Sequence, residues 1–143
     1  MNRDTAVVGA GATDAFPNQD ESDIIIRTGV RAGDLEYIVS MHGIVYAEER
    51  GFDATFEAYV AGPLAELVRA NNPRERIWLA ERKGRIIGCA AIVAVSTETA
   101  QLRWFLVDPS ARGKGLGRRL LQHAIAFSRS ADMPRSFSGQ KAL

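Results

Sequence analysis

At 143 residues, with a formal net charge of +1, the chain has the size of one domain and carries no overall basic excess, which excludes the electrostatic profile of a dedicated nucleic-acid binder. Its single cysteine, Cys89, excludes an internal disulfide framework and a cysteine-rich zinc site. No apolar run approaches the roughly 20 residues of a bilayer span, and the N-terminus shows no cationic stretch followed by an apolar core, so a cytoplasmic protein without membrane contact is expected.

Residues 1–22, "MNRDTAVVGAGATDAFPNQDES", are small, polar and broken by glycine and proline, and are expected to form a disordered tail ahead of a domain over 23–143. Within them, "VVGAGATD" has the look of a dinucleotide fingerprint. It fails because Asp14 stands where the third glycine belongs and Pro17 blocks the helix that should follow. The β-branched run Ile24–Ile26 in "DIIIRTG" predicts the first strand. From Asp34, residues Leu35, Ile38, Val39, His42, Val45 and Tyr46 recur at helical spacing, which predicts a helix ending near Gly51. Asp53 is placed to cap a second helix, "ATFEAYVAGPLAELVRA", with Phe56, Tyr59, Val60, Leu64, Leu67 and Val68 on one face. Gly62-Pro63 is expected to kink or split it.

Three strands follow. "RIWLAER" and "RIIGCAAIVAV" are joined across Lys83-Gly84 as a tight hairpin, and the second is apolar on both faces, as a central strand is. "AQLRWFLV", Ala100 to Val107, is the next, with Gln101 and Arg103 alternating against Leu102 and Trp104. A last helix carries the stripe Leu116, Leu120, Leu121, Ala124 and Phe127. The predicted order is strand, two helices, three strands, helix.

The turn before that last helix, in "PSARGKGLGRRLLQHAIAF", sets Gly113, Gly115 and Gly117 among Arg112, Lys114, Arg118 and Arg119. A helix N-terminus presents unpartnered N–H groups and the positive end of the helix dipole, and glycines let an anion approach the main chain closely. A phosphate site and a solvated strand-to-helix turn both fit these residues. The spacing is not that of a Walker A loop.

"RGKGLG", following a strand that ends "LVDPSA" and opening a helix, resembles the Arg/Gln-x-x-Gly-x-Gly/Ala signature of the GNAT superfamily of acyl-CoA-dependent N-acetyltransferases, over roughly residues 24 to 130. "HGIVYAEERGFDATFEAYVA" also resembles acetyltransferase modules that follow a MarR-type DNA-binding domain, for which the N-terminal tail here is too short and polar. The resemblance implies an α/β (α+β) fold around a mixed, mainly antiparallel sheet, with acetyl-CoA as co-substrate and no metal. It implies that backbone groups of Leu106 and Val107 line the pantetheine and acetyl end, and that Arg112, Gly113, Lys114, Gly115, Leu116, Gly117 and Arg118 cradle the pyrophosphate. An amine, on a small molecule or a protein, would attack the thioester directly.

The family continues with a fifth strand, a fourth helix and two more strands, whereas "SADMPRSFSGQKAL" shows no apolar alternation, so a truncated domain is expected, with one cleft wall and its tyrosine acid missing. The edge of "AQLRWFLV" would then invite homodimerisation. For the base or acceptor contact, Tyr46, Glu48 and Glu49 at the end of the first long helix, and Gln101 and Arg103, are the candidates; each also fits an ordinary solvated position. Glu81 is expected as a surface charge. His42 falls on an apolar stripe and His123 mid-helix, so neither is assigned to catalysis, and Cys89 is expected as a buried thiol. N-acetyl transfer is the function expected; a catalytically impaired CoA-binding or interaction module is the alternative, and nucleic-acid binding through the basic turn is disfavoured.

Overall fold

The structure, a computed structural model, describes residues 23–130; the expected tail 1–22, its fingerprint-like stretch and the residues after 130 lie outside them. The order is β1 (Ile24–Thr28), α1 (Asp34–Arg50), α2 (Ala54–Ala70), β2 (Arg76–Arg82), β3 (Arg85–Ser96), β4 (Thr99–Val107) and α3 (Leu116–Ser130), as the sequence predicts. Among the described residues the strands form one sheet, β1-β2-β3-β4, with every pairing antiparallel. Lys83 and Gly84, at φ 56° and 78°, make the two-residue turn between β2 and β3, the left-handed backbone that suits a twisted hairpin. β3 lies between two neighbours and is buried without interruption from Ile86 to Ile92.

Helices cover both faces. Ile38, Val45, Val60 and Leu64 from α1 and α2 pack on Ile77, Leu79, Cys89, Ala91 and Leu106, while Leu116, Leu120, Ala124 and Phe127 of α3 pack on Trp78, Ile87, Ala90 and Ile92. Helix α1 starts at Gly33, whose φ of 92° suits glycine, and ends at Gly51 in the left-handed region. Asp53 caps α2 by accepting from the Thr55 amide at 3.0 Å.

Three expectations need correction. Helix α2 runs unbroken through Pro63 rather than splitting. Gly62 has no Cβ to crowd the proline ring, and Tyr59, whose carbonyl loses its helical partner, is half exposed and within reach of water. Tyr59 and Val68 belong to the helix's apolar stripe and are exposed on it. Glu81 is not a solvated charge: it accepts from Arg27 Nε at 2.6 Å, and Arg27 also pairs with Asp34 at 3.0 Å, tying β1, β2 and the start of α1 together. Burial opposes ionisation of Asp34, but the bonds from Arg27 and the Arg31 amide outweigh it and hold the carboxyl below its ordinary range.

The third correction concerns β4. Arg103 pairs with Ala91 and Leu106 with Cys89, so two residues, Trp104 and Phe105, stand against Ala90. This is a β-bulge, with Trp104 at φ 49°. Before it, Ala100 and Leu102 face α3, and Gln101 and Arg103 share the other face with Val93 and Ala91; after it, Trp104 and Leu106 face α1 and α2. Trp104 therefore sits beside Arg103, whose guanidinium lies 4.6 Å from the indole ring, instead of alternating against it. The Cys89 thiol donates to the Trp104 carbonyl at 3.1 Å, and burial pushes its pKa up to about 12, so it remains a thiol.

Candidate active site

The bulge aims the last residues of β4 at a cleft. A cavity of about 440 Å³ is bounded by Leu106 and Val107 from β4, by Ala111 to Gly113, Gly115, Leu116 and Gly117 from the following turn and α3, and by Tyr46, Glu49 and Arg50 from the last turn of α1. Its size lies in the range of small-molecule sites. Another hollow of about 440 Å³, between Thr28–Val30, the end of α2 and the start of β2, contains none of the predicted site residues.

Local chemistry shapes the turn. The Asp108 amide donates to the Ile87 carbonyl at 2.8 Å, which fixes the chain to β3 as it leaves the sheet, and the Asp108 carboxylate accepts from the Ser110 amide and hydroxyl. A short 3-10 turn, Pro109–Ala111, drops Ala111 into the core under α3. Gly113 and Gly115 then take φ of 84° and 82°, the left-handed region in which side chains are strained. A Cβ built on either meets nothing within 4 Å, so space stands open above the main chain. The first helical bond of α3 runs from the Arg119 amide to the Gly115 carbonyl at 3.1 Å, so the amides just before it, at the helix start, have no helical partner. Open glycine backbone, free amides, a helix dipole and neighbouring cations fit a diphosphate.

Arg112 crosses this cleft. Its Nε donates to the Val107 carbonyl at 2.9 Å and its Nη1 pairs with Glu49 Oε2 at 2.9 Å, both ions being partly exposed. Tyr46 is buried beneath them, and burial raises its pKa, so the phenol keeps its proton at neutral pH. The Arg50 guanidinium lies 5.8 Å from the Tyr46 ring centre.

The structure thus gathers Tyr46, Glu49, Leu106, Val107, Arg112, Gly113, Gly115, Leu116 and Gly117 around one space. Lys114 and Arg118 lie on the exposed rim of the same turn and Glu48 on the exposed end of α1. Gln101 is not brought into the cleft: it pairs with Val93, five residues along β4 from Leu106. Arg50 was missed by sequence reasoning, although its place beside Glu49 is a signal that could have found it. His42 is fully buried, with its Nδ1–H donating to the Ile38 carbonyl at 2.9 Å, and lies outside the cleft lining. No group of three or more metal-binding side chains occurs among the described residues, and no helix among them is long and apolar enough to cross a membrane.

A strand that bulges and then ends at a glycine turn opening a helix, on an antiparallel sheet with helices on both faces, is the frame that carries this cleft. The model of the Acetyltransferase (GNAT) family matches residues 41–140, and the chain belongs to that family. A 72-residue stretch is 36% identical to an "IAA acetyltransferase" of Azospirillum brasilense, covering 49% of this chain and 46% of that protein. A 66-residue stretch is 26% identical to an "Amino-acid acetyltransferase" of Mycobacterium tuberculosis, covering 44% and 38%. The matched stretches therefore span less than half the length of these relatives. Among solved structures, a "predicted acetyltransferase with acetyl-CoA" from Clostridium acetobutylicum superposes with a TM-score of 0.64 at 16% identity, covering 81% of this chain and 79% of that one, which shows the shared fold.

Proposed function

We propose that the chain transfers an acetyl group from acetyl-CoA to an amine. The observation that carries this is the cleft, in which the bulged end of β4, the two left-handed glycines and the start of α3 face Tyr46 and Glu49 across a space of small-molecule size. In this reading the amides from Gly113 to Arg118 hold the diphosphate, with Lys114 and Arg118 adding charge from the rim, and the backbone of Leu106 and Val107 orients the pantetheine arm. Acetyl-CoA supplies a thioester whose carbonyl carbon accepts the amine nitrogen while the bond to sulfur breaks.

The chain's own residues then have distinct tasks. Arg112 must leave the Val107 carbonyl for that carbonyl to be used by the coenzyme, and its departure also frees Glu49. Glu49, once unpaired, takes the proton that the acceptor ammonium must lose before its nitrogen can attack. Tyr46 cannot serve as that base at neutral pH, because its proton is held by burial; its ring walls the cleft and excludes water, and its hydroxyl is a donor.

Thiol release from acetyl-CoA in the presence of a panel of amines tests the proposal, with Gly115→Glu as the control. That substitution places a carboxylate where the diphosphate would sit, and with no atom within 4 Å of its Cβ the cost to folding is confined to the left-handed backbone, about 1–2 kcal/mol. Amine-dependent thiol release in the parent and none in a folded Gly115→Glu variant is expected. Coenzyme binding without turnover of any amine would favour the alternative of a CoA-binding module that does not catalyse.

A further inference from the structure

The hollow at the far end of α2 has the same volume as the cleft, about 440 Å³, and takes no part in the proposed acetyl transfer. A third space, beside Phe52 and Tyr59, adjoins the cleft, since Gly51 lines one and Arg50 the other. The hollow at the end of α2 shares no residue with either and lies where β1 ends and β2 begins. Arg76, at its edge, pairs with Ile92 of β3, whereas Val107, at the cleft, pairs with Gly88, so roughly 13 Å of strand separates the two spaces. One side of the hollow is apolar, built from Val30, Leu67, Val68 and Ile77. Val68 is 37% exposed there, and a ligand's alkyl chain would cover it.

The other side is made of oxygen acceptors. Helix α2 stops at Asn71, whose φ of 49° is left-handed and whose amide returns to the Leu67 carbonyl at 3.2 Å. The carbonyls of Val68, Arg69 and Ala70 come after that last helical bond and carry the negative end of the helix dipole. Glu75 Oε2 accepts the Ala94 amide at 3.0 Å, which holds the carboxylate against β3 and leaves Oε1 for a further donor. Thr28 and Asn71 add side-chain oxygens. Arg76 is the one cation among the lining residues, and its guanidinium is turned to the opposite face of the sheet, 4.6 Å from the centre of the Phe127 ring. Arg27 reaches the Gly29 carbonyl at 2.9 Å but is balanced by Asp34 and Glu81, and Arg74 is spent on the Ser96 and Thr97 carbonyls. A carboxylate, a helix C-terminus and open carbonyls together favour a positive group that donates hydrogen bonds, and they repel an anion.

We propose that this hollow is a second ligand site, separate from the acetyl-transfer cleft, and that it takes an aliphatic ammonium. The alkyl chain lies on Val30, Leu67 and Val68, and the ammonium donates to Glu75 Oε1 and to the carbonyls that end α2. The bound amine is held and not acetylated, because the thioester belongs to the other end of the sheet. The assignment stands whether or not the cleft transfers acetyl groups.

Titration of the isotope-labelled full chain with n-butylamine, n-butanol, butyrate and methylamine, followed by amide chemical shifts, tests the site in the absence of acetyl-CoA. Saturable shifts at Gly29, Asn71, Asn72 and Glu75 are expected with n-butylamine. The uncharged alcohol and the anion should bind about 10-fold more weakly, for want of the charge-assisted bonds. Methylamine should also be about 10-fold weaker, having no chain to bury. Glu75→Gln keeps an oxygen for the Ala94 amide, so the fold is retained, and should weaken n-butylamine about 5- to 10-fold. Val68→Trp, at an exposed position, fills the hollow and should abolish these shifts while acetyl-CoA affinity is unchanged. Nα-acetyllysine methylamide carries the same ammonium on a peptide backbone: tighter binding than n-butylamine assigns the hollow to a lysine side chain, and weaker binding to a free amine. Shifts confined to cleft residues such as Tyr46 and Gly113, equal affinities for amine and alcohol, or shifts that survive Val68→Trp would overturn the assignment.

Discussion

Glu49→Gln should tighten acetyl-CoA binding, because the parent protein must first separate Glu49 from Arg112 to open its cleft. A pair of unit charges 2.9 Å apart is worth about 1.4 kcal/mol in bulk water by Coulomb's law. Both side chains are partly exposed, so ordering costs and salt reduce this toward the 0.2–1 kcal/mol measured for such pairs, which is roughly a 1.5- to 5-fold change in an equilibrium constant. Calorimetric titration with acetyl-CoA at low ionic strength should show a dissociation constant lower by that factor in the variant, with the difference shrinking as salt is added. Removing a negative charge near a polyanion would itself help binding, so Glu48→Gln, which deletes an exposed neighbouring charge without touching Arg112, is the reference. Glu49→Gln should exceed it. At the same time, thiol release with an amine should fall, since the amide cannot take the proton. An affinity no tighter than that of Glu48→Gln would refute the claim that Arg112 holds the cleft through Glu49.

The interior offers further tests. His42 is fully buried with Nε2 unpartnered among the described residues, and burial lowers its pKa. Its folded form resists protonation that the unfolded chain accepts near pH 6.5, so stability should fall as pH drops below that value. His42→Leu should raise stability by about 1 kcal/mol at pH 7.5, relieving an unsatisfied polar atom, and by more at pH 5.5, as read by urea denaturation. Arg27→Met leaves Asp34 and Glu81 uncompensated and should cost about 3 kcal/mol at pH 7. Because the folded pKa of Asp34 lies below its ordinary 3.8, the stabilisation is complete above that pH and is lost as acid protonates the group, so the gap between parent and variant should close below about pH 3.8.

The parts of the fold that were legible in the sequence are those set by local chemistry. Lys83-Gly84 is a hairpin turn because two successive residues there take left-handed backbone, and the period of Leu116, Leu120, Ala124 and Phe127 marks the buried face of α3. The glycine turn likewise announces itself within a few residues. What the sequence hid depends on long-range pairing. A single extra residue in β4 leaves no trace in an alternating pattern, and a tryptophan is not the residue from which left-handed backbone would be inferred, so Trp104 was set opposite Arg103 when it lies beside it. Glu81 and Arg27 are 54 positions apart, and Glu49 and Arg112 are 63 apart, and only the folded sheet and helices bring each pair into contact. Tyr59 satisfied the helical period for burial yet stands at the edge of a hollow, because the period fixes which face a residue occupies and not whether anything covers it.

The most direct test of the account is calorimetric titration of the parent chain and of Gly115→Glu with acetyl-CoA. Binding in the micromolar range by the parent, weakening with added salt and absent from the folded variant, is the predicted result. A folded parent chain that gives no binding heat across temperatures, or a Gly115→Glu variant that binds as tightly as the parent, would contradict the assignment of the glycine turn as a diphosphate cradle.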